Sequence, residues 1–285
     1  MPDPSFVVPL FLQSALLPFV LTLITLWLLR APRLAQVAPL IAVASGFLAA
    51  YFAIYYAQWS FAPHQALDWL AWIVLLGGAG VAATEQAGAA MLRHMGRLTL
   101  SLTCAALVAW PALAGAGLPK ALLPIAATGL LMFASWTYLA ATARQRPTPA
   151  LMLLVVAGGA ALALMLDASQ LIGQLSGALA SVLAACLAFH FLRVRGAFSG
   201  SATGLAVLLL GTLLATAYFY ADFSITYVLL LIGGLLADPL VAVVNRVRQR
   251  DGGVGSWLTV GALSALPVLA TVGLAIRAAQ ESGGY

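Results

Sequence analysis

The sequence predicts an all-α fold, a polytopic integral membrane bundle of about ten transmembrane helices with both termini on the non-cytoplasmic side. Three observations lead there. The first is composition: of the 285 residues 63% are hydrophobic and 7% charged, with a mean hydropathy of +1.04, whereas a soluble domain carries roughly 45–50% apolar and 25% charged residues. So few charged side chains cannot clothe a water-soluble core of this size, which excludes soluble enzymes, nucleic-acid binders and secreted disulfide scaffolds. The second is length, because a helix needs about 20 mostly apolar residues to cross the hydrocarbon core and runs of that kind recur along the chain. The third is the placement of Lys and Arg, whose excess marks short cytoplasmic loops.

The elements follow in order. The first span, 6–29, is predicted despite Pro9, Gln13 and Pro18, since neighbouring helices can satisfy backbone groups that proline frees inside a membrane. Met1 to Gln13 holds Asp3 and no Lys or Arg, so it lacks the positive region of a cleavable signal and the first run is expected to stay in the mature chain. Spans 36–57 and 67–84 come next, the latter diluted by Gly77, Gly78 and Gly80. Spans 98–116 and 121–142 precede 149–167, which Thr148 and Pro149 open as N-cap and first helical residue. Span 174–192 bears Gly173, Gly177, Ser181 and Ala185 at four-residue spacing, a face of small residues suited to close helix packing. Ser199 opens 199–220 and Ser256 opens 255–276. Between them, span 225–245 contains Gly233-Gly234-Leu235-Leu236-Ala237-Asp238-Pro239.

Ten such spans use about 200 residues, so residues 1–285 read as a single transmembrane domain with no extramembrane unit. Five is odd, so halves 1–145 and 146–285 would have opposite orientations, the geometry of inverted-repeat transporters. A short echo fits that division: Ala109-Trp110-Pro111-Ala112-Leu113-Ala114 resembles Ala237-Asp238-Pro239-Leu240-Val241-Ala242.

Orientation follows from the loops. Arg30 and Arg33, Arg93 and Arg97, Arg144 and Arg146, Arg193 and Arg195, and Arg246, Arg248 and Arg250 fall on alternate connections, eleven of the thirteen Lys and Arg residues. The other side receives Lys120 and Arg277, together with Asp3, Asp68, Asp167, Asp222 and Glu281. The arginine side is therefore read as cytoplasmic, in a bacterial-type inner (plasma) membrane. The net charge of +5 comes from dispersed residues with no basic run, so no nucleic-acid partner is implied. The partners expected are the lipid bilayer and either other membrane subunits or further copies of the chain.

Most charges have a structural reading. Asp3, Asp68, Asp167 and Asp222 stand at or just before helix starts, where a carboxylate meets unpaired N–H groups and the positive end of the helix dipole. The functional reading of the same side is an outer vestibule of His64, Asp68, Asp167, Asp222, Tyr55 and Tyr220, able to bind a cation, a sugar or a lipid headgroup. An aromatic belt at headgroup level is its competitor. Asp238 is different, because it lies about eight residues, or roughly 12 Å of helix rise, from Arg246. An unpaired carboxylate at that depth costs several kcal/mol, so it should be protonated or paired. An Asp before a Pro also reads as N-cap and first residue of a new helix, so the ninth span is expected to break after Gly233 and Gly234 and restart at Asp238. Broken helices at membrane depth are where transporters place substrate and ion sites, and His190, on a helix of the same direction, is the partner expected for a proton relay.

Cys104 and Cys186 both lie within apolar runs and read as packing residues. His64, His94 and His190 are scattered, so no metal site and no cofactor are expected; a haem between His94 and His190 would need His94, placed here in a loop, to reach the bilayer. No phosphate-binding loop, dinucleotide fingerprint or hydrolase motif is present. Three functions compete: a small-solute transporter or permease, resting on Asp238, His190, Gly233 and Gly234; a non-catalytic membrane subunit or assembly scaffold; and an intramembrane enzyme acting on a lipid or sugar at the outer face.

Overall fold

The computed structural model describes residues 4–31, 34, 36–113, 118–143, 148–192, 198–238 and 254–281. Within them the chain is all-helical, with no strand. The helices are α1 (Val8–Leu28), α2 (Ala38–Tyr55), α3 (Ala66–Gln86), α4 (Ala90–Leu113), α5 (Leu118–Ala143), α6 (Thr148–Asp167), α7 (Gln170–Phe191), α8 (Gly200–Tyr220), α9 (Ile225–Gly234) and α10 (Val254–Glu281). Among the described residues nine helices are long and apolar enough to cross a bilayer, and α9 is the short one. The protein is an integral membrane protein of the expected class. The cytoplasmic identity of the arginine side is a reading of charge; Asp3, Arg33, Arg144, Arg146, Arg193, Arg195, Arg246, Arg248 and Arg250 lie outside the described residues.

The bundle is built around α8, which packs on α2, α3, α4, α5, α6 and α7 and is the most enclosed helix. On one flank α7 lies against α1, α2 and α6; on another α4 pairs with α5; on the third α9 leans on α6 and α10. Small residues set how closely these axes approach. On the predicted face of α7, an added methyl at Gly173 would strike Met165 and the Ala161 carbonyl of α6, and Gly177 faces Ala161. Ser181 then turns to α1, where its hydroxyl donates to the Ser14 carbonyl at 3.3 Å.

That bond explains the irregular start of α1. In a regular helix the Ser14 carbonyl would accept from the N–H of residue 18, but Pro18 has none. The chain widens to a π-helical turn over Leu12–Leu16, with the Leu17 N–H reaching back to the Leu12 carbonyl, and Ser181 donates to the carbonyl that Pro18 deprives of its usual donor. The glycine-diluted α3 has a similar π turn over Ile73–Gly77. Both spans that looked weakest by composition therefore cross as widened helices, held by their neighbours.

One boundary differs most from expectation. Helix α4 begins at Ala90, eight residues before the predicted 98, so Arg93, His94 and Arg97 are helical rather than in a loop. Helix α9 ends at Gly234, where the break after the two glycines is expected within 225–245; residues 239–245, including Pro239, lie outside the described residues. Capping also differs: Ser169 and Ser224, not Asp167 and Asp222, accept from the first N–H groups of α7 and α9. Ser199 caps α8 as expected, accepting from Ala202 at 3.2 Å.

Candidate functional site

The break in α9 comes from its own backbone. After Gly234 the ladder tightens, with the Leu235 N–H on the Ile232 carbonyl at 2.9 Å and the Leu236 N–H on Gly233 at 3.0 Å, three-residue bonds that close a helix rather than continue it. Ala237 and Asp238 are helical again. Ten residues of α helix rise about 15 Å, half of a ~30 Å hydrocarbon core, so the interruption falls near mid-membrane. Gly234 sits at a close crossing just before it: an added Cβ would lie 3.0 Å from Val156 of α6 and 3.1 Å from the Ser264 carbonyl of α10. Gly233 faces open space, so only the second glycine is required for packing.

Asp238 is 6% exposed and accepts a hydrogen bond of 3.2 Å from the Tyr138 hydroxyl of α5. His190, the partner expected from sequence, stands in the last turn of α7 with its ring against Phe191, and α7 is not among the main neighbours of α9. The carboxylate is thus held by a phenol from the first half of the chain. Reading the sequence did not find Tyr138, because one tyrosine near the end of a span looks like any interfacial aromatic.

Between α5 and α9, floored by α6 and α8, runs an apolar cleft of about 320 Å³. Leu123, Tyr218 and Ile225 stand at one end; Ser135, Leu153, Val207 and Leu235 ring the other. Along α5 it covers residues 123 to 135, about 18 Å of helix rise. Tyr138 is three residues past Ser135, so the hydrogen-bonded pair lies about one helical turn, roughly 4.5 Å of rise, beyond the deep end along α5, and neither Tyr138 nor Asp238 lines the cleft itself. Gly233, Gly234 and His190 do not line it.

The vestibule residues fall into separate places. Asp68 is 1% exposed and accepts from Tyr55 at 3.1 Å and from the backbone N–H groups of His64 and Gln65 at 2.9 Å each. Together with the Gln65 side chain this closes a capping box that starts α3, so Asp68, Tyr55 and the His64 backbone form one structural unit. Nearby, Phe52, Trp59, Phe61 and Trp72 pack edge to face with centroids 5.2–6.3 Å apart. Tyr220 donates to the Val108 carbonyl of α4 at 2.9 Å. Asp167 and Asp222 are exposed, the latter with φ 52°, in the turn between α8 and α9.

A second buried charge was not anticipated. Glu85, at the end of α3, meets Arg97 of α4, with Arg97 Nη2 2.6 Å and Nε 2.8 Å from Oε1 and both side chains under a tenth exposed. The guanidinium lies 5.7 Å from the Trp136 ring centroid, within cation–π range. Gly96 makes the pairing geometrically accessible, because any side chain there would collide with Thr84. Glu85 also borders a small polar pocket of about 140 Å³ with Gln36, Gln86, Ser199 and Ser201. The signal in the sequence was the pair itself, an acid closing one span twelve residues before a base opening the next.

Compared with known protein families, curated proteins and solved structures, the chain matches none.

Proposed function

We propose that the protein is a transporter or permease of a bacterial-type inner membrane, oriented with its arginine side in the cytoplasm, and that Asp238 is its substrate or coupling-ion residue. One observation carries the reading: a helix stops at half-depth and is followed by a buried carboxylate whose hydrogen-bond partner among the described residues is the Tyr138 phenol. Burying a carboxylate away from water is costly, and a structural role does not require it, since α9 is already terminated by the two tight bonds at Leu235 and Leu236. Intramembrane carboxylates on broken helices mark solute and proton pathways. Tyr138 fits that use, because a hydroxyl can donate to the carboxylate and turn away when a solute replaces it.

The test is uptake by proteoliposomes of a mixture of small metabolites, read by mass spectrometry. The unaltered protein is expected to accumulate at least one solute over protein-free vesicles, and Asp238→Asn to reduce that uptake to the vesicle background while the protein reconstitutes normally. Uptake retained by Asp238→Asn would remove Asp238 from the mechanism.

A further inference from the structure

The geometry points to a chemical class of ligand: we infer that the α5–α9 cleft binds a lipophilic cation, an amine or quaternary onium whose apolar body fills the cleft and whose charge meets Asp238. The inference rests on the transport reading only for its physiological meaning; the binding itself does not depend on it.

The cleft has the volume of a small-molecule site, which typically spans about 300–1,000 Å³, and its lining is apolar except for Thr128, Ser135 and the Tyr218 hydroxyl. A polar solute would lose its hydration there with few hydrogen bonds in return, so sugars and zwitterionic amino acids are disfavoured. An apolar body gains in proportion to the surface it removes from water. Among the described residues, the strong polar feature within a helical turn of the deep end is the Asp238–Tyr138 pair. A carboxylate recognises a cation by charge, and in this low-dielectric setting it repels an anion by as much. Among the described residues, Asp238 has a neutral hydrogen-bond donor rather than an ion-pair partner, so an arriving cation completes a pair instead of displacing one. Leu122 and Leu123, on the α5 wall, are 59% and 75% exposed, so a ligand dissolved in the bilayer meets the cleft from the side.

Two ions of nearly the same size and shape but opposite charge separate charge recognition from simple partitioning. Purified protein is equilibrated with tetraphenylphosphonium or tetraphenylborate, and binding is measured by equilibrium dialysis. Expected is a preference for the cation of at least about tenfold, a loss of that preference in Asp238→Asn, and weaker binding of both ions in Ala127→Trp, which puts an indole into the cleft from its exposed wall without touching Asp238. Tyr138→Phe retains the carboxylate and the preference. Equal binding of the two ions, unchanged cation binding in Asp238→Asn, or no cation binding by the folded protein would overturn the assignment. If Asp238→Asn fails to fold, Ala127→Trp decides alone: unchanged affinity sinks the cleft as the site. Cation binding without solute uptake would discard transport and leave the cleft assigned, whereas Asp238-dependent uptake without cation binding would do the reverse.

Discussion

Glu85→Gln is expected to destabilise the bundle by about 3–5 kcal/mol, the usual consequence of stripping one partner from a buried ion pair. The Arg97 guanidinium would be left 6% exposed against the Trp136 face, with its carboxylate replaced by a neutral amide. Arg97→Met should cost a similar amount, because it buries Glu85 without its cation. The double variant Glu85→Met with Arg97→Met should be less damaged than either single change, since no uncompensated charge remains. Thermal unfolding in detergent micelles measures all three. Losses that simply add would mean that the pair contributes little as a pair.

Gly204→Ala is the second large effect, and it acts on the same stack from the other side. A methyl at Gly204 of α8 would collide with the Trp136 indole, which is fully buried and has Arg97 over its ring. Neither the ring nor the backbone of the central helix has room to yield, so the cost should reach the upper part of the roughly 1–3 kcal/mol range for overpacking. Trp136→Phe should recover part of this loss in the Gly204→Ala background while costing stability in the parent, a non-additivity that unfolding curves of the four proteins would show. Equal effects of Trp136→Phe in both backgrounds would mean that the two residues do not share the strain.

The helices were legible because bilayer thickness imposes one length on every span and the arginines register their alternation. Helix ends were less so: α4 starts at Ala90 because Arg93, His94 and Arg97 are tolerated near a helix end, and Arg97 has Glu85 to neutralise it. The interruption of α9 was legible from Gly233, Gly234 and the Asp238-Pro239 pair, since glycine and proline act through local backbone chemistry. Its partner was not. His190 lies on a helix of suitable direction, yet which helices touch depends on how small residues such as Gly177 and Gly234 let axes approach, and that choice brought α5 and Tyr138 to Asp238 instead. The aspartates of the outer side illustrate a third case. Asp68 was readable as a residue of a helix start, and the structure gives it a capping box with Gln65, whereas Ser169 and Ser224 took the capping roles expected of Asp167 and Asp222. A serine hydroxyl satisfies an N-terminal N–H as well as a carboxylate does, and charge alone does not choose between them.

The central proposal is that Asp238 lies on a transport pathway open to water, and single-cysteine labelling tests it most directly. Cysteines are placed one at a time at 229 and 238 in a background lacking Cys104 and Cys186, and reconstituted protein is exposed to a membrane-impermeant maleimide. Leu229 is 54% exposed on an apolar face of α9 and should stay unlabelled within the bilayer, while position 238 should react. A protein that folds, leaves both positions unlabelled and reacts only after unfolding would show a dry interior at the α9 break and would contradict the account.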